Sequence, residues 1–167
     1  MGEIKKLYAS SFPRNERKPF WLMERKVSSG QMEILSIDDG GFAGLMITVI
    51  YRDMVLLDYF AIVPEKRGHG IGTAALELLR ERYPGKRIFL EIELPADDTD
   101  TDKLRRKDFY LRAGLSCTGI NVLLFGVPME LLTFGCDVNF DEYKTLYIKT
   151  FSALMSFVLR PLDGKHG

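Results

Sequence analysis

Arg67-Gly68-His69-Gly70-Ile71-Gly72 is the segment of this chain whose residue types and spacing point most directly to chemistry. Closely spaced glycines let the backbone turn sharply and present unobstructed N–H groups, and a helix beginning just beyond them favours negative charge. Such a loop is a phosphate cradle built from main chain. It follows an apolar, strand-like run from Leu56 to Val63 and leads into a helical pattern from Thr73 to Tyr83. Gly70-Ile71-Gly72-Thr73-Ala74-Ala75 also satisfies the Gly-x-Gly-x-x-Gly/Ala pattern of dinucleotide-binding turns, with Glu91 or Glu93 about 20 residues on as a ribose acid. A dinucleotide turn, however, passes directly from the first strand of its domain into the glycines. Here Pro64 to His69 intervenes and a meander comes first. A nucleotide P-loop is excluded, because no Gly-Lys-Ser/Thr follows the glycines.

Carboxylates form the second group. Along Arg87 to Glu93, Ile88, Leu90 and Ile92 point one way while Phe89, Glu91 and Glu93 point the other, so one face is core and the other carries acids. Asp58 shares a face with Phe60 and Ile62. His69 is read as an exposed loop residue and His166 lies in the tail. Cys117 and Cys136 lack metal-type spacing and sit in apolar, strand-like runs, which points to two reduced structural thiols. The run Asp97 to Asp102 has the opening of a calcium loop, yet Lys103 stands where glycine is required and Phe109 where the closing glutamate belongs. It reads as a solvated loop, and no metal is implied.

The elements that must position these groups follow from apolar spacing and from Gly and Pro. Ile4, Leu7, Tyr8 and Phe12 recur at helical spacing up to Pro13, and Phe20, Met23 and Val27 do so before Gly30. Met32 to Ile37, Phe42 to Tyr51 and Met54 to Val63 read as an antiparallel meander turning at Asp38 to Gly41 and at Arg52-Asp53. The glycine-loop helix joins two strand runs and predicts a right-handed parallel βαβ unit. Leu104 to Ala113 is a further helix, Thr118 to Phe125 and Met129 to Phe134 are strands, and Asn139 with Glu142 forms a capping box for a broadly apolar terminal helix. The expectation is a single domain over residues 1–167, with residues 139–160 an appended helix docked on it or on a second copy, which leaves a homodimer open.

Two motifs resemble those of the GNAT N-acetyltransferase superfamily, and the order of elements over residues 1–135 is similar to its fold. One is Arg67-x-x-Gly70-x-Gly72 after Tyr59-Phe60-Ala61-Ile62-Val63; the other is Phe109-Tyr110-Leu111-Arg112-Ala113-Gly114-Leu115. The resemblance implies a mixed α/β (α+β) fold: a twisted, mostly antiparallel sheet of six or seven strands with a central parallel βαβ unit and helices on both faces. It implies that amides of Arg67, Gly68, His69, Gly70, Ile71, Gly72 and Thr73 hold the pyrophosphate of acetyl-CoA, and that Phe60, Ala61 and Ile62 pair with pantetheine. It implies direct transfer of acetyl to a primary amine, with Tyr110 meeting the departing thiolate. The ammonium of a lysine-like amine, pKa about 10.4, costs roughly 4 to 5 kcal/mol to deprotonate at pH 7, so a base is useful. Glu91, Glu93 and Asp58 are the candidates, with Tyr110 completing the catalytic set. Some members carry a glutamate two positions before Asp58, where this chain has Leu56. In the same way Phe12, Arg17, Phe20 and Trp21 would wall the acceptor cleft. The alternatives are a non-catalytic acyl-CoA sensor and, more distantly, a nicotinamide dinucleotide-binding protein.

Bulk properties agree. The chain has 167 residues, 46% hydrophobic and 28% charged, enough for a sizeable core. Lys plus Arg and Asp plus Glu both number 23, which disfavours nucleic acid and anionic membranes as partners. The opening Met1-Gly2-Glu3-Ile4 lacks an apolar signal core, and no run reaches the roughly 18 to 20 apolar residues of a bilayer span, so a cytoplasmic location is expected. The acceptor, a small-molecule or peptide amine, is not encoded in any motif.

Overall fold

Buried Ile4, Leu7 and Tyr8 fall on one stripe of α1 (Gly2–Ser11), which ends before Pro13. Pro19, unable to donate an N–H, precedes α2 (Phe20–Ser28), whose Met23 is fully buried. A computed structural model describes residues 1–14 and 16–162. Beyond α2 come β1 (Met32–Asp38), β2 (Phe42–Tyr51), β3 (Met54–Ile62), α3 (Ile71–Arg82), β4 (Arg87–Glu93) and α4 (Thr101–Arg112). The chain continues through β5 (Ser116–Leu124), β6 (Val127–Thr133), α5 (Phe140–Thr150), α6 (Met155–Val158) and β7 (Leu159–Pro161). This is the expected mixed α/β class with a mostly antiparallel, seven-stranded sheet. In chain order β3, α3 and β4 take the places of the expected βαβ unit. His166 lies outside the described residues.

Two compact units divide the chain, Met1–Ile50 with Val55–Pro84 and Tyr51–Met54 with Gly85–Gly167. In the first, the strands run in the order β1-β2-β3. β1 and β2 pair antiparallel from Met32↔Val49 to Asp38↔Phe42, with a shift in register at Ile37/Asp38. Burial along β2 is continuous from Ala43 to Val49 rather than alternating, so this strand is covered on both faces. One buried polar pair lies among these side chains, Thr48 Oγ1 and the Tyr83 hydroxyl at 2.8 Å.

In the second unit the strand order is β4-β6-β5-β7 with every pairing antiparallel. Here the structure corrects three expectations. The face of β4 read as merely acidic also buries Phe89, whose ring meets Tyr143 edge-on at 6.2 Å. α5 supplies that cover, a partner the strand's own alternation does not reveal. The terminal helix expected over 139–160 stops at Thr150, and Leu159–Pro161 instead extends the sheet beside β5. Proline is tolerated there because a strand end on the sheet's edge need not donate every N–H. Cys117, read as lying in apolar surroundings, is exposed, in a stretch where Gly119 takes φ +76° and the pairing of β5 with β6 shifts. The capping box is present: the Glu142 N–H donates to Asn139 Oδ1 at 2.9 Å and the Asn139 N–H to Glu142 Oε2 at 3.2 Å.

Candidate active site

Past the end of β3 a 3-10 turn, Pro64–Lys66, carries the chain to the glycine loop. Gly68 and Gly70 adopt φ +79° and +80°, the left-handed region that L side chains disfavour. A Cβ on either would meet nothing within 4 Å, so backbone conformation and not crowding calls for glycine. Gly70 caps α3 without a side chain, and the Ala74 N–H is the first to join the helix ladder, bonding the Gly70 carbonyl at 3.0 Å. The amides of Ile71, Gly72 and Thr73 therefore stand at the positive end of the helix with no intrahelical acceptor. His69 is exposed. The side chains of the loop brace it: Arg67 Nε donates to the Ile62 carbonyl at 2.9 Å, and Lys66 Nζ donates to the carbonyls of Asp39 and Gly41.

Gly44 in β2 is required for a different reason. A Cβ there would lie 2.4 Å from the Ala61 carbonyl oxygen and 3.0 Å from Ile62 Cδ1, so β3 passes it closer than any other residue allows. Sequence reasoning passed over Gly44. Its one signal was a glycine inside an otherwise apolar strand run.

Asp58 faces Lys18. The Lys18 ammonium bonds both carboxylate oxygens, at 2.7 and 2.9 Å, and the Asp58 side chain is only 2% exposed. The Lys18 amide donates to the Tyr59 hydroxyl at 3.1 Å, that hydroxyl donates to the Glu16 carbonyl at 2.6 Å, and the Tyr8 hydroxyl donates to the Lys18 carbonyl at 3.1 Å. Burial, then the Tyr59 hydroxyl and nearby charge, pushes the Tyr8 phenol far above its ordinary range. Of the residues expected to wall an acceptor cleft, Phe12 and Phe20 pack with Tyr8, and Phe12 also with Tyr59; Arg17 bonds the Ala9 carbonyl and Trp21 is exposed.

In the second unit Tyr110 lies on α4, 8% exposed, its ring 5.1 Å from that of Phe109. Burial pushes its phenol up to about 12, against the pull of the Arg106 charge, so at neutral pH it is a donor. Glu91 receives two donors from α5: Tyr147 donates to Oε1 at 2.5 Å and Tyr143 donates to Oε2. The i, i+4 spacing puts both tyrosines on one helix face. Glu93, on the same strand face, instead pairs with Lys103 at 3.1 Å and Arg106 at 3.8 Å. The buried Glu130 carboxylate holds Lys107 at 2.6 Å, a contact that raises the lysine's pKa.

The profile of the "Acetyltransferase (GNAT) family" matches residues 2–115. This chain belongs to the GNAT acetyltransferase family. A curated relative, the Bacillus subtilis (strain 168) protein YjbC, provisionally named an acetyltransferase, is 32% identical over 101 residues, 60% of this chain and 50% of that protein. The chain thus spans about half the length of the curated relative it matches. A provisionally assigned GNAT acetyltransferase from Bacteroides thetaiotaomicron shares the fold at a TM-score of 0.73 and 23% identity, over 89% of this chain and 87% of that one. An aminoglycoside 6'-N-acetyltransferase complexed with coenzyme A superposes at 0.61 with 14% identity, over 83% and 92% of the two chains. A spermidine N-acetyltransferase chimera from Vibrio cholerae and hSSAT does so at 0.61 with 12% identity, over 79% and 90%. The matched GNAT segment ends before β5, so α5, which brings Tyr143 and Tyr147 to Glu91, lies outside it.

Proposed function

We propose that this chain transfers an acetyl group from acetyl-CoA to a primary amine by direct attack. The observation that carries the reading is the glycine loop of a GNAT-family chain, with two left-handed glycines and three helix-start amides lacking intrahelical acceptors. Those amides suit a pyrophosphate, and no neighbouring side chain crowds Gly68 or Gly70. The loop residues Arg67 to Thr73 hold the phosphates, and main-chain groups of Phe60, Ala61 and Ile62 align the pantetheine arm. The amine nitrogen attacks the thioester carbonyl, the C–S bond breaks, and the electron pair leaves on sulfur, where the Tyr110 hydroxyl donates a hydrogen bond. Glu91 is the proposed acceptor of the ammonium proton, its carboxylate held in position by the Tyr143 and Tyr147 hydroxyls. Asp58 already holds an ammonium and is assigned a binding role. The acceptor is a small-molecule or peptide amine, as aminoglycosides and spermidine are for the enzymes whose fold this chain shares.

Calorimetric titration of acetyl-CoA and, separately, NADH into the wild type and Gly70→Glu tests the loop. Acetyl-CoA binding that the substitution abolishes supports the assignment; NADH binding without acetyl-CoA binding overturns it in favour of the dinucleotide reading. Release of free thiol across an amine panel then tests transfer. One observation favours a non-catalytic acyl-CoA-binding module, namely that Asp58, Glu91 and Glu93 are all engaged by other side chains. Tyr110→Phe separates the readings, because only an enzyme loses turnover while keeping its affinity for acetyl-CoA.

A further inference from the structure

Between α1 and α2, residues 16–18 are fastened to β3 by an arrangement that matches the recognition of a free ammonium ion. Both Asp58 oxygens accept from Lys18 Nζ, at 2.7 and 2.9 Å. The same nitrogen lies 5.1 Å from the centroid of the Tyr59 ring. A carboxylate beside an aromatic face is how proteins bind organic cations. The group is built in as well: the Asp58 side chain is 2% exposed and that of Lys18 18%, and the Tyr8 and Tyr59 hydroxyls hold the backbone of Glu16 and Lys18 in place by donating to the Lys18 and Glu16 carbonyls and, at Tyr59, accepting from the Lys18 amide. A buried carboxylate without a counter-charge is strongly destabilising, so this position needs a cation. The chain provides its own.

We propose that Asp58 and the Tyr59 ring form an ammonium-binding subsite, that Lys18 fills it as an internal ligand, and that this filling steers acceptor choice away from amines with a second cation at that point. Asp58 shares a face of β3 with Phe60, in the segment assigned to pantetheine, and two strand residues span about 7 Å. A diamine of about that reach could place its second ammonium on Asp58 only where Lys18 had left it. The claim about acceptor choice rests on the acetyl-transfer reading; the subsite itself does not.

The test removes the internal ligand and offers a substitute. Lys18→Ala is expected to lose thermal stability and to regain it saturably in millimolar n-butylammonium chloride. Butan-1-ol and sodium chloride at equal concentration should not restore it, and the double variant Lys18→Ala with Asp58→Asn should not respond. Equal recovery with butan-1-ol or sodium chloride, or no recovery at all, overturns the subsite. If Lys18→Ala does not fold alone, Lys18→Met, which keeps the stem's packing, takes its place; failure of both to fold in butylammonium also overturns it. For acceptor choice, the kcat/KM ratio of 1,5-diaminopentane over n-pentylamine should rise at least about tenfold in Lys18→Met relative to the wild type. An unchanged ratio removes that part of the proposal. Should the wild type acetylate no amine, the activity reading falls while the butylammonium experiment still decides the subsite.

Discussion

Gly44→Ala probes the close passage of β3 past β2. The added Cβ would sit 2.4 Å from the Ala61 carbonyl oxygen, so reaching 3.0 Å, still tight, needs a displacement of 0.6 Å (3.0 − 2.4). Ordinary contact at 3.4 Å needs 1.0 Å (3.4 − 2.4), and Ile37 Cδ1, 3.2 Å away, crowds the new methyl from another side. The obstacle is main chain, which cannot rotate away as a side-chain end can. Overpacking of this kind costs about 1 to 3 kcal/mol. At 2 to 4 °C per kcal/mol for a chain of this size, the melting temperature should fall by roughly 2 to 12 °C. Because Ala61 belongs to the segment proposed to align acetyl-CoA, affinity should drop about tenfold, the worth of one misplaced hydrogen bond. Differential scanning fluorimetry and calorimetric titration read the two effects, with Gly2→Ala as control because a Cβ there meets nothing within 4 Å. A Gly44→Ala protein that melts within 1 °C of the wild type and binds acetyl-CoA equally well would refute the argument.

At Gly70, where space is open and φ is +80°, the cost is conformational. Thermal stability should fall in the order Gly, Asn, Ala, with the Ala variant about 1 to 2 kcal/mol below the wild type; an Ala variant as stable as Asn would contradict this. Tyr143→Phe and Tyr147→Phe each take one donor from the Glu91 carboxylate, and hydrogen bonds to charged groups contribute about 1.5 to 3 kcal/mol, so thermal unfolding should come roughly 3 to 12 °C earlier in each. Tyr110 keeps its proton to about pH 12 when folded but ionises near 10 when unfolded. Its contribution is fully present below pH 10 and is lost as pH rises from 10 to 12, roughly 3 kcal/mol in all. Denaturant unfolding at stepped pH should show the wild type losing more stability than Tyr110→Phe across that window, and parallel curves would rule out the shift.

What the sequence by itself determined about this chain is local. The glycine loop ahead of α3 and the Asn139/Glu142 capping box depend on residues within a few positions of one another, and residue type and spacing are enough to read them, although α3 opens at Ile71, two residues before the Thr73 that spacing suggests, and takes in Gly72. The Arg67-x-x-Gly70-x-Gly72 and Phe109-Tyr110 motifs carried the family resemblance for the same reason. Tertiary structure alone decided which charge meets which. Nothing near Asp58 in sequence signals Lys18, 40 residues earlier, and nothing near Glu91 signals Tyr143 and Tyr147, 52 and 56 residues later. Glu91 and Glu93 looked equivalent because alternation assigns a face and not a partner, yet one receives tyrosine hydroxyls and the other a lysine and an arginine. Gly44 likewise acquires its meaning only from a strand that passes 2.4 Å from where its side chain would begin. Backbone conformation is set by neighbours in the chain, whereas ion pairs and close approaches are set by packing, which brings distant residues together without leaving a pattern at either one.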